Sequence, residues 1–356
     1  MEPTQNLRIK SFEPLESPAS VLLQRPATPA AEATVRHGRA EMRQALAGQD
    51  ERLVVICGPC SIHDPKAALE YAQRLVALRR KIEDRILLVM RVYFEKPRTT
   101  VGWKGLINDP HMDGSHDIVH GLKLAREILL GINEMGLPAA TEFLDPIVPQ
   151  YTSDLVSWAA IGARTTESQT HRQMASGLSM PVGFKNATDG SLQVALDAMV
   201  SARAAHAFVG IDIDGRTSIV KTLGNPDVHL VLRGGGGKSN YSKADVAYTK
   251  ALLEGQEKPR QIMIDCSHGN SNKNYLHQPR VFDEVLAQVL AGETAILGLM
   301  LESHLVEGRQ EIGPREQMTY GQSVTDACIH WDDTAELLRN LAGAVAQRQA
   351  RLAQSA

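Results

Sequence analysis

Residues 53–92 read LVVICGPCSIHDPKAALEYAQRLVALRRKIEDRILLVMRV and contain one complete strand–helix–strand unit. The runs Leu53–Cys57 and Ile86–Val92 are short and continuously apolar, as is typical of strands that are buried on both faces of a parallel sheet. Between them, Pro65–Ile82 has the length and the apolar spacing of a helix. Because parallel strands need crossover connections, this stretch predicts an α/β fold.

The same alternation of apolar runs and helical patterns continues to residue 301. Eight strands would close a (β/α)8 barrel, so the predicted fold is a TIM barrel. A doubly wound open sheet is the alternative, but no strand–GxGxxG–helix fingerprint begins the alternation. The six further runs are Ala139–Phe143, Trp158–Ile161, Pro181–Phe184, Val228–Leu232, Gln261–Ile264 and Ile296–Leu301. The helical patterns between them are Ile118–Met135, Ser191–Ala205, Lys243–Leu253 and Arg280–Leu290.

Two segments extend the predicted barrel of residues 49–356. Residues 1–48 contain five prolines and the amphipathic pattern Ala30–Ala47, so we predict an N-terminal arm and helix that lie on the barrel. Further along, Asp214-Gly215 stands between two β-branched runs and is typical of a tight hairpin. We therefore predict a two-stranded β-ribbon at about residues 206–222, inserted before the sixth strand.

The composition excludes several classes of partner. Lys and Arg number 38 against 41 Asp and Glu, which argues against nucleic-acid or membrane-surface binding through a basic excess. The first 25 residues lack the apolar segment of a signal peptide, and no stretch reaches the ~18 apolar residues of a membrane span. Four cysteines in 356 residues do not form a disulfide framework. We expect a cytoplasmic protein with small-molecule partners.

Polar residues stand where the predicted strands end, which is the face of a TIM barrel that carries chemistry. Concentrated positive charge there predicts an anion site, most plainly for phosphates and a carboxylate. Six cations lie at or just after strand ends: Arg91, Lys96, Arg98, Arg164, Lys185 and Arg233.

A second set of strand-end residues offers metal ligands: Cys60, His268, Glu302 and Asp326. A thiolate, an imidazole and two carboxylates suit Mn, Fe, Co or Zn better than Mg or Ca. The spacing of the four residues is not diagnostic, and a histidine in a chain with 12 of them is more often structural. From spacing alone, both interpretations stay open.

Two motifs suggest other chemistry. Cys57 and Cys60 have the spacing of a redox dithiol, but they straddle a strand end, whereas redox motifs begin at a helix N-terminus. We do not expect redox catalysis, although oxidation of this pair would inactivate an enzyme that uses Cys60. Lys185 at a strand end raises the alternative of a Schiff-base aldolase.

Four strings of sequence together carry a family resemblance: Gly58–Asp64, Arg91–Gly105, Gly162–Ser168 and Ser267–Ser271. They closely resemble 3-deoxy-D-arabino-heptulosonate 7-phosphate (DAHP) synthase in its short, feedback-regulated bacterial class, type I. The resemblance covers nearly the whole chain, and the Arg91–Gly105 string is highly specific. It implies a transferase that condenses phosphoenolpyruvate with erythrose 4-phosphate and releases phosphate, the first step of the shikimate pathway towards the aromatic amino acids.

The resemblance also implies residue roles. A divalent metal (Mn²⁺, Fe²⁺ or Co²⁺) would be held by Cys60, His268, Glu302 and Asp326. Phosphoenolpyruvate would contact Arg91, Lys96, Ala163, Arg164, Lys185 and Arg233. Erythrose 4-phosphate would contact Pro97, Arg98 and Thr99. The catalytic residues would be Lys96, Glu142, Lys185 and His268, and we expect Glu142 and Lys185 to position the water that adds to the enol ether carbon.

Regulation is implied in the same way. An aromatic amino acid would bind away from the metal, at Asn6, Gln150, Ser179 and Phe208, with Asn6 supplied by a neighbouring subunit. Asn6 stands where phenylalanine-sensitive relatives carry an acid, which favours tyrosine as the effector. The arm would join subunits into a homo-oligomer, a dimer or a tetramer. A third hypothesis, an amino-acid-binding protein without turnover, is disfavoured because a decayed site would have lost a cation or a ligand.

Overall fold

The computed structural model describes residues 4–255, 258–259 and 261–355. Residues 1–3 of the predicted arm and residue 356 of the predicted barrel therefore lie outside the described residues. The strands are β1 Leu53–Gly58, β2 Ile86–Arg91, β3 Ala139–Glu142, β4 Trp158–Ile161, β5 Val182–Lys185, β6 Ala207–Ile211, β7 Thr217–Lys221, β8 Val228–Leu232, β9 Ile262–Asp265, β10 Ile296–His304, β11 Val306–Arg309, β12 Gln322–Ser323 and β13 Ile329–His330.

Helices cover the outside of the sheet and follow most of its strands. Several begin at a side-chain cap; Asp64, for example, accepts hydrogen bonds from the backbone N–H groups of Lys66 and Ala67. The helices are α1 Pro18–Gln24, α2 Pro29–Leu46, α3 Pro65–Arg79, α4 Ile118–Glu134, α5 Pro149–Thr152, α6 Gln169–Gly177, α7 Gln193–Arg203, α8 Lys243–Leu252, α9 Gln278–Leu290 and α10 Trp331–Ser355.

The parallel sheet closes on itself. In the described part of the chain, eight strands pair in the order β1, β2, β3, β4, β5, β8, β9, β10, and β10 pairs back with β1. At this closing seam a Cβ on Gly298 would lie 1.9 Å from the Val54 carbonyl oxygen, so only glycine fits there. The predicted TIM barrel is confirmed.

The barrel interior is filled by apolar side chains from alternate strand positions. Val54, Val89 and Met263 belong to this interior cluster, and Met42 and Leu46 of α2 pack into the same cluster. The helix of the N-terminal segment thus closes one end of the barrel. The division of the chain at residue 48 stays a prediction, because α2 and the barrel share this core.

The predicted ribbon is confirmed as a two-stranded antiparallel sheet of β6 and β7, between α7 and β8. Its turn is built by Asp212, whose Oδ1 accepts from the backbone N–H groups of Asp214 and Arg216. Gly215 has φ 78°, a conformation that glycine adopts without strain. The two-stranded sheet of β11 and β12 and the short helices α1, α5 and α6 were not predicted from the sequence. Across the described residues, no helix is long and apolar enough to cross a membrane.

Candidate active site

A cavity of about 360 Å³ opens at the carboxyl ends of the barrel strands. Its position agrees with the general rule for TIM barrels. Eleven residues predicted for the site line it: Lys96, Pro97, Arg98, Glu142, Ala163, Arg164, Lys185, Arg233, His268, Glu302 and Asp326. Of the other predicted residues, Thr99 lies beside the cavity, where its Oγ1 accepts a hydrogen bond from Arg164 Nε at 3.3 Å.

Three predicted metal ligands meet at this cavity, where Glu302 and Asp326 line it and the buried Cys60 lies against them. Potential ligand atoms of Cys60, Glu302 and Asp326 all lie within 4.8 Å of one another. The fourth, His268, places Nε2 3.7 Å from Glu302 Oε1. One thiol, one imidazole and two carboxylates fit a divalent transition metal, and the mixture of soft and hard donors disfavours Mg²⁺ and Ca²⁺.

The Cys60 side chain is buried and surrounded by donors. Lys96 Nζ donates to its Sγ at 3.1 Å, and the backbone N–H of Asp326 donates at 3.4 Å. Burial and the nearby Glu302 carboxylate raise the pKa of the Cys60 thiol to about 11. Metal binding through this thiol would therefore require the loss of its proton.

His268 is oriented by the residues before it. Its backbone has φ 55°, which is uncommon for a non-glycine residue and often marks functional sites. Its Nδ1 lies 2.9 Å from Asp265 Oδ2 and 2.7 Å from Ser267 Oγ. Because both neighbours occupy the Nδ1 side, Nε2 is the ring nitrogen that faces Glu302.

Arg91 lies deeper than predicted. It is fully buried, and within the described residues it does not line the cavity. Its Nη2 donates to Glu302 Oε1 at 3.0 Å and to the Cys60 carbonyl at 3.2 Å. Burial opposes the charge, but Tyr93 and Glu302 raise the pKa of Arg91 above its ordinary value. Arg91 thus holds two ligand residues together, and its contact with phosphoenolpyruvate stays a prediction.

The cavity wall is strongly cationic. Besides the five predicted cations Lys96, Arg98, Arg164, Lys185 and Arg233, it contains Lys273 and Arg309. Arg98 Nε donates to the Trp103 carbonyl at 2.8 Å, and Lys185 Nζ donates to Asp265 Oδ2 at 2.9 Å. So many cations around one concave space suit ligands with several negative charges.

Glu142 has a free oxygen in this cavity. Its side chain is 6% exposed, and among the described residues its Oε1 has no hydrogen-bond partner. A Cβ on Gly162 would lie 2.1 Å from that oxygen, so the glycine leaves the space that the carboxylate occupies. This oxygen therefore remains able to accept a hydrogen bond from a molecule in the cavity.

Sequence reasoning missed several residues of the site. Gln278 binds both backbone groups of Glu302: its Nε2 donates to the carbonyl and its Oε1 accepts from the N–H, each at 2.9 Å. Lys273 and Arg309 reach the cavity from a loop and from β11, neither of which is the end of a barrel strand. No pattern in the sequence predicts these two residues, whereas Asp265 lies at the end of a predicted strand.

A second, smaller cavity of about 90 Å³ lies between the ribbon, α5 and α6. Three residues predicted for the effector site line it: Gln150, Ser179 and Phe208. Asn6 does not line it within this chain; it is exposed, with φ 62°. This placement is compatible with the prediction that Asn6 serves a neighbouring subunit, which stays a prediction.

The two cysteines of the dithiol spacing have different surroundings. Cys57 is buried in the cluster between the sheet and the helices, where burial raises its pKa to about 12. Cys60 instead contacts Lys96 at the cavity. Both cysteines are free. The expectation that the pair does not perform redox catalysis stays a prediction.

Comparisons with known proteins find relatives over nearly the whole chain. The chain is 56% identical over 344 residues to the Phe-sensitive phospho-2-dehydro-3-deoxyheptonate aldolase of Escherichia coli K12. This match covers 97% of this chain and 98% of that protein. It is 56% identical over 337 residues to the Tyr-sensitive protein of that name from Salmonella typhimurium, with 94% of each chain covered.

A solved structure of the phospho-2-dehydro-3-deoxyheptonate aldolase from Francisella tularensis SCHU S4 superimposes with a TM-score of 0.93. The two chains are 47% identical, and the match covers 96% of this chain and 99% of the other. The model of the DAHP synthetase I family matches residues 27–339. The chain therefore belongs to the DAHP synthetase I family.

Proposed function

We propose that this chain condenses phosphoenolpyruvate with erythrose 4-phosphate and water to give DAHP and inorganic phosphate. Membership of the DAHP synthetase I family supports this reaction class. The observation that carries it is the cluster of Cys60, Glu302 and Asp326, with ligand atoms within 4.8 Å, at a cationic cavity.

Phosphoenolpyruvate combines a carboxylate with a phosphate, and it would bind against the inner cations of the wall. Lys96 and Lys185 are buried, which strengthens their attraction for an anion in a site of low dielectric. Burial opposes the charge of Lys96, but the nearby Cys60 raises its pKa. Arg164 and Arg233 also line the cavity and would hold the phosphate that is later expelled.

Erythrose 4-phosphate would bind nearer the mouth. Arg98 and Thr99 are exposed and would hold its phosphate, with Pro97 lining the pocket. The hydrogen bond from Arg164 to Thr99 connects the two proposed phosphate sites. Two phosphorylated substrates repel each other, so the surrounding cations lower the free energy needed to bring them together.

Cys60, His268, Glu302 and Asp326 would hold a divalent metal, which we propose to be Mn²⁺, Fe²⁺ or Co²⁺. When bound, such an ion supplies Lewis-acid polarisation of the aldehyde carbonyl. Lys96 Nζ lies 3.1 Å from Cys60 Sγ and would compensate the charge of the thiolate. Arg91, paired with Glu302, would hold that carboxylate in place.

Glu142 and Lys185 would position the water that adds to the enol ether carbon. The free Oε1 of Glu142 can accept a hydrogen bond from water or take its proton. Lys185 stands in the same cavity as a fixed cation. Cleavage of the carbon–oxygen bond then releases phosphate beside the arginines.

A Schiff-base mechanism at Lys185 is the alternative in the same barrel. It needs a neutral amine, because only the lone pair attacks a carbonyl. Lys185 is buried and its Nζ donates to the Asp265 carboxylate at 2.9 Å, so a substrate carbonyl would have to displace this ion pair to reach the nitrogen. This ion pair supports the metal-dependent mechanism over the aldolase.

We propose that the second cavity binds an aromatic amino acid that inhibits the enzyme. The named relatives include Phe-sensitive and Tyr-sensitive proteins that are equally similar to this chain. Our preference for tyrosine therefore depends on Asn6 alone. A volume of about 90 Å³ bordered by Phe208 supports a small apolar group as the ligand.

We also propose a homo-oligomer, a dimer or a tetramer, in the cytoplasm. Leu7, Ile9 and Phe12 of the arm are 70%, 50% and 73% exposed, and several large exposed apolar side chains in one short segment are typical of an interface. Such an interface would let the arm deliver Asn6 to a neighbouring subunit.

The proposed function is tested by incubating the purified chain with both substrates and Mn²⁺. Inorganic phosphate and DAHP should form in equal amounts, with no phosphate released when either substrate is omitted. Phosphate release from phosphoenolpyruvate alone at the same rate would contradict the proposed condensation. Simultaneous replacement of Arg164 and Arg233 by alanine should raise KM for phosphoenolpyruvate by about tenfold or more.

A further inference from the structure

Asp265, the last residue of β9, contacts two groups of the site at once. Its side chain is fully buried, and Oδ2 lies 2.9 Å from both Lys185 Nζ and His268 Nδ1. Its other oxygen, Oδ1, accepts from the N–H of Ser267 at 3.0 Å and from the hydroxyl of Ser267 at 2.6 Å. Both carboxylate oxygens are therefore fully engaged within the protein.

These contacts determine which nitrogen of His268 carries a proton. The Ser267 hydroxyl donates to Asp265 Oδ1, so toward His268 Nδ1 it acts as an acceptor. Asp265 Oδ2 is an acceptor as well. With two acceptors around Nδ1, the proton belongs on Nδ1 and the lone pair on Nε2. Nε2 is the nitrogen that faces Glu302.

We propose that Asp265 is a positioning residue with two functions: it holds Lys185 toward the phosphoenolpyruvate site and holds His268 in the tautomer whose Nε2 can bind a metal. This inference rests on the proposed function. A carboxylate behind a ligating histidine fixes the ring and increases its basicity. Here one carboxylate couples the metal side of the site to its cationic side.

The variant Asp265→Asn keeps the shape but removes the charge. In one orientation the amide NH₂ of the asparagine would face the donors of Lys185 and His268. In the other orientation it would face the backbone N–H of Ser267, so two donors oppose each other in both cases. We expect Co²⁺ affinity, measured by competition with a chromophoric chelator, to fall about 10- to 100-fold. The matched control is Ser267→Ala, which keeps the carboxylate and should change Co²⁺ affinity by less than about threefold.

The function toward Lys185 is measured separately, on metal-free protein, as the affinity for phosphoenolpyruvate. Asp265→Asn should lower this affinity about tenfold, because the ammonium loses the group that holds it. In a Lys185→Met background the same substitution should change phosphoenolpyruvate affinity by less than about twofold, while its effect on Co²⁺ affinity persists.

Folding is checked by thermal unfolding, and if the asparagine variant does not fold, Asp265→Ala replaces it because alanine adds no buried donor. A folded variant with wild-type Co²⁺ affinity overturns the function toward His268. One with wild-type phosphoenolpyruvate affinity overturns the function toward Lys185. Failure of the wild-type protein to form DAHP would instead contradict the proposed function, so the two failures are distinguishable.

Discussion

The carboxylate of Asp265 lies 2.9 Å from the ammonium of Lys185, and the lysine is 4% exposed. Because both groups are buried, this ion pair fixes the position of the lysine nitrogen. Lys185 therefore acts as a positioned part of the cavity wall, which Arg233 and Glu142 also line.

This relationship predicts that Lys185 forms no covalent adduct. Borohydride added during turnover should leave the protein mass unchanged, because the lysine nitrogen is engaged by Asp265 and does not reach a substrate carbonyl. Intact-protein mass spectrometry measures the outcome, with a known Schiff-base aldolase treated in parallel as the positive control. A mass increase that disappears in Lys185→Arg would support the aldolase mechanism instead.

Metal affinity should increase with pH. Burial and Glu302 raise the pKa of Cys60 to about 11, so at pH 7.5–9 the thiol must lose its proton when a metal binds. One released proton corresponds to about a tenfold gain in affinity per pH unit. Calorimetry of Mn²⁺ binding in buffers with different ionisation enthalpies counts the released protons. Cys60→Ser should bind more weakly; a pH-independent affinity of the wild-type protein would contradict the assignment of Cys60.

Gly162→Ala should inactivate the enzyme without unfolding it. The new Cβ would lie 2.1 Å from Glu142 Oε1 and would displace that carboxylate from the cavity. Loss of a positioned acid or base costs roughly 100-fold or more in kcat. The matched control is Gly343→Ala in α10, where a Cβ meets nothing within 4 Å; it should keep full activity and stabilise the helix by about 0.5–1 kcal/mol. Equal kcat in the two variants would argue against a role for Glu142.

Inhibition by an aromatic amino acid should depend on the second cavity and on the arm. Phe208→Ala should raise the inhibition constant about tenfold with kcat unchanged, because it removes apolar contact area from the cavity wall. Val209→Ala is the control, since its side chain is 77% exposed and outside that wall.

Deletion of residues 1–7 should likewise abolish inhibition, since it removes Asn6. Steady-state assays with each aromatic amino acid in turn identify the effector, for which we expect tyrosine. Inhibition that survives the deletion would refute the proposed role of the arm.

Much of the fold and of the site follows from local sequence. Each barrel strand is a short apolar run, and the barrel rule places the residues at its end at one mouth, so Cys60 and Glu302 could be predicted to lie there together. Asp326 joins them from the segment after β12, which is not a barrel strand. The string Arg91–Gly105 then indicated the family. The local sequence does not indicate how deeply a residue at a strand end is buried. Arg91 and Arg233 both stand at strand ends, yet Arg91 is fully buried against Glu302.

Residues that support others were harder to predict. Asp265 is an acid at a strand end, and sequence alone does not distinguish a ligand from a residue that orients a ligand. Gln278 begins α9 and reaches the backbone of Glu302 only because helix and strand pack side by side. Arg309 lines the cavity from β11, and β11 could not be predicted because its sequence contains no continuous apolar run.

The most direct test of the account measures DAHP formation before and after metal removal. Protein treated with a chelator and desalted should form no DAHP from phosphoenolpyruvate and erythrose 4-phosphate, and Mn²⁺ or Co²⁺ should restore the original rate. The same ions should not restore Cys60→Ala. Full activity in a sample shown by elemental analysis to be metal-free would contradict the proposed site at Cys60, His268, Glu302 and Asp326.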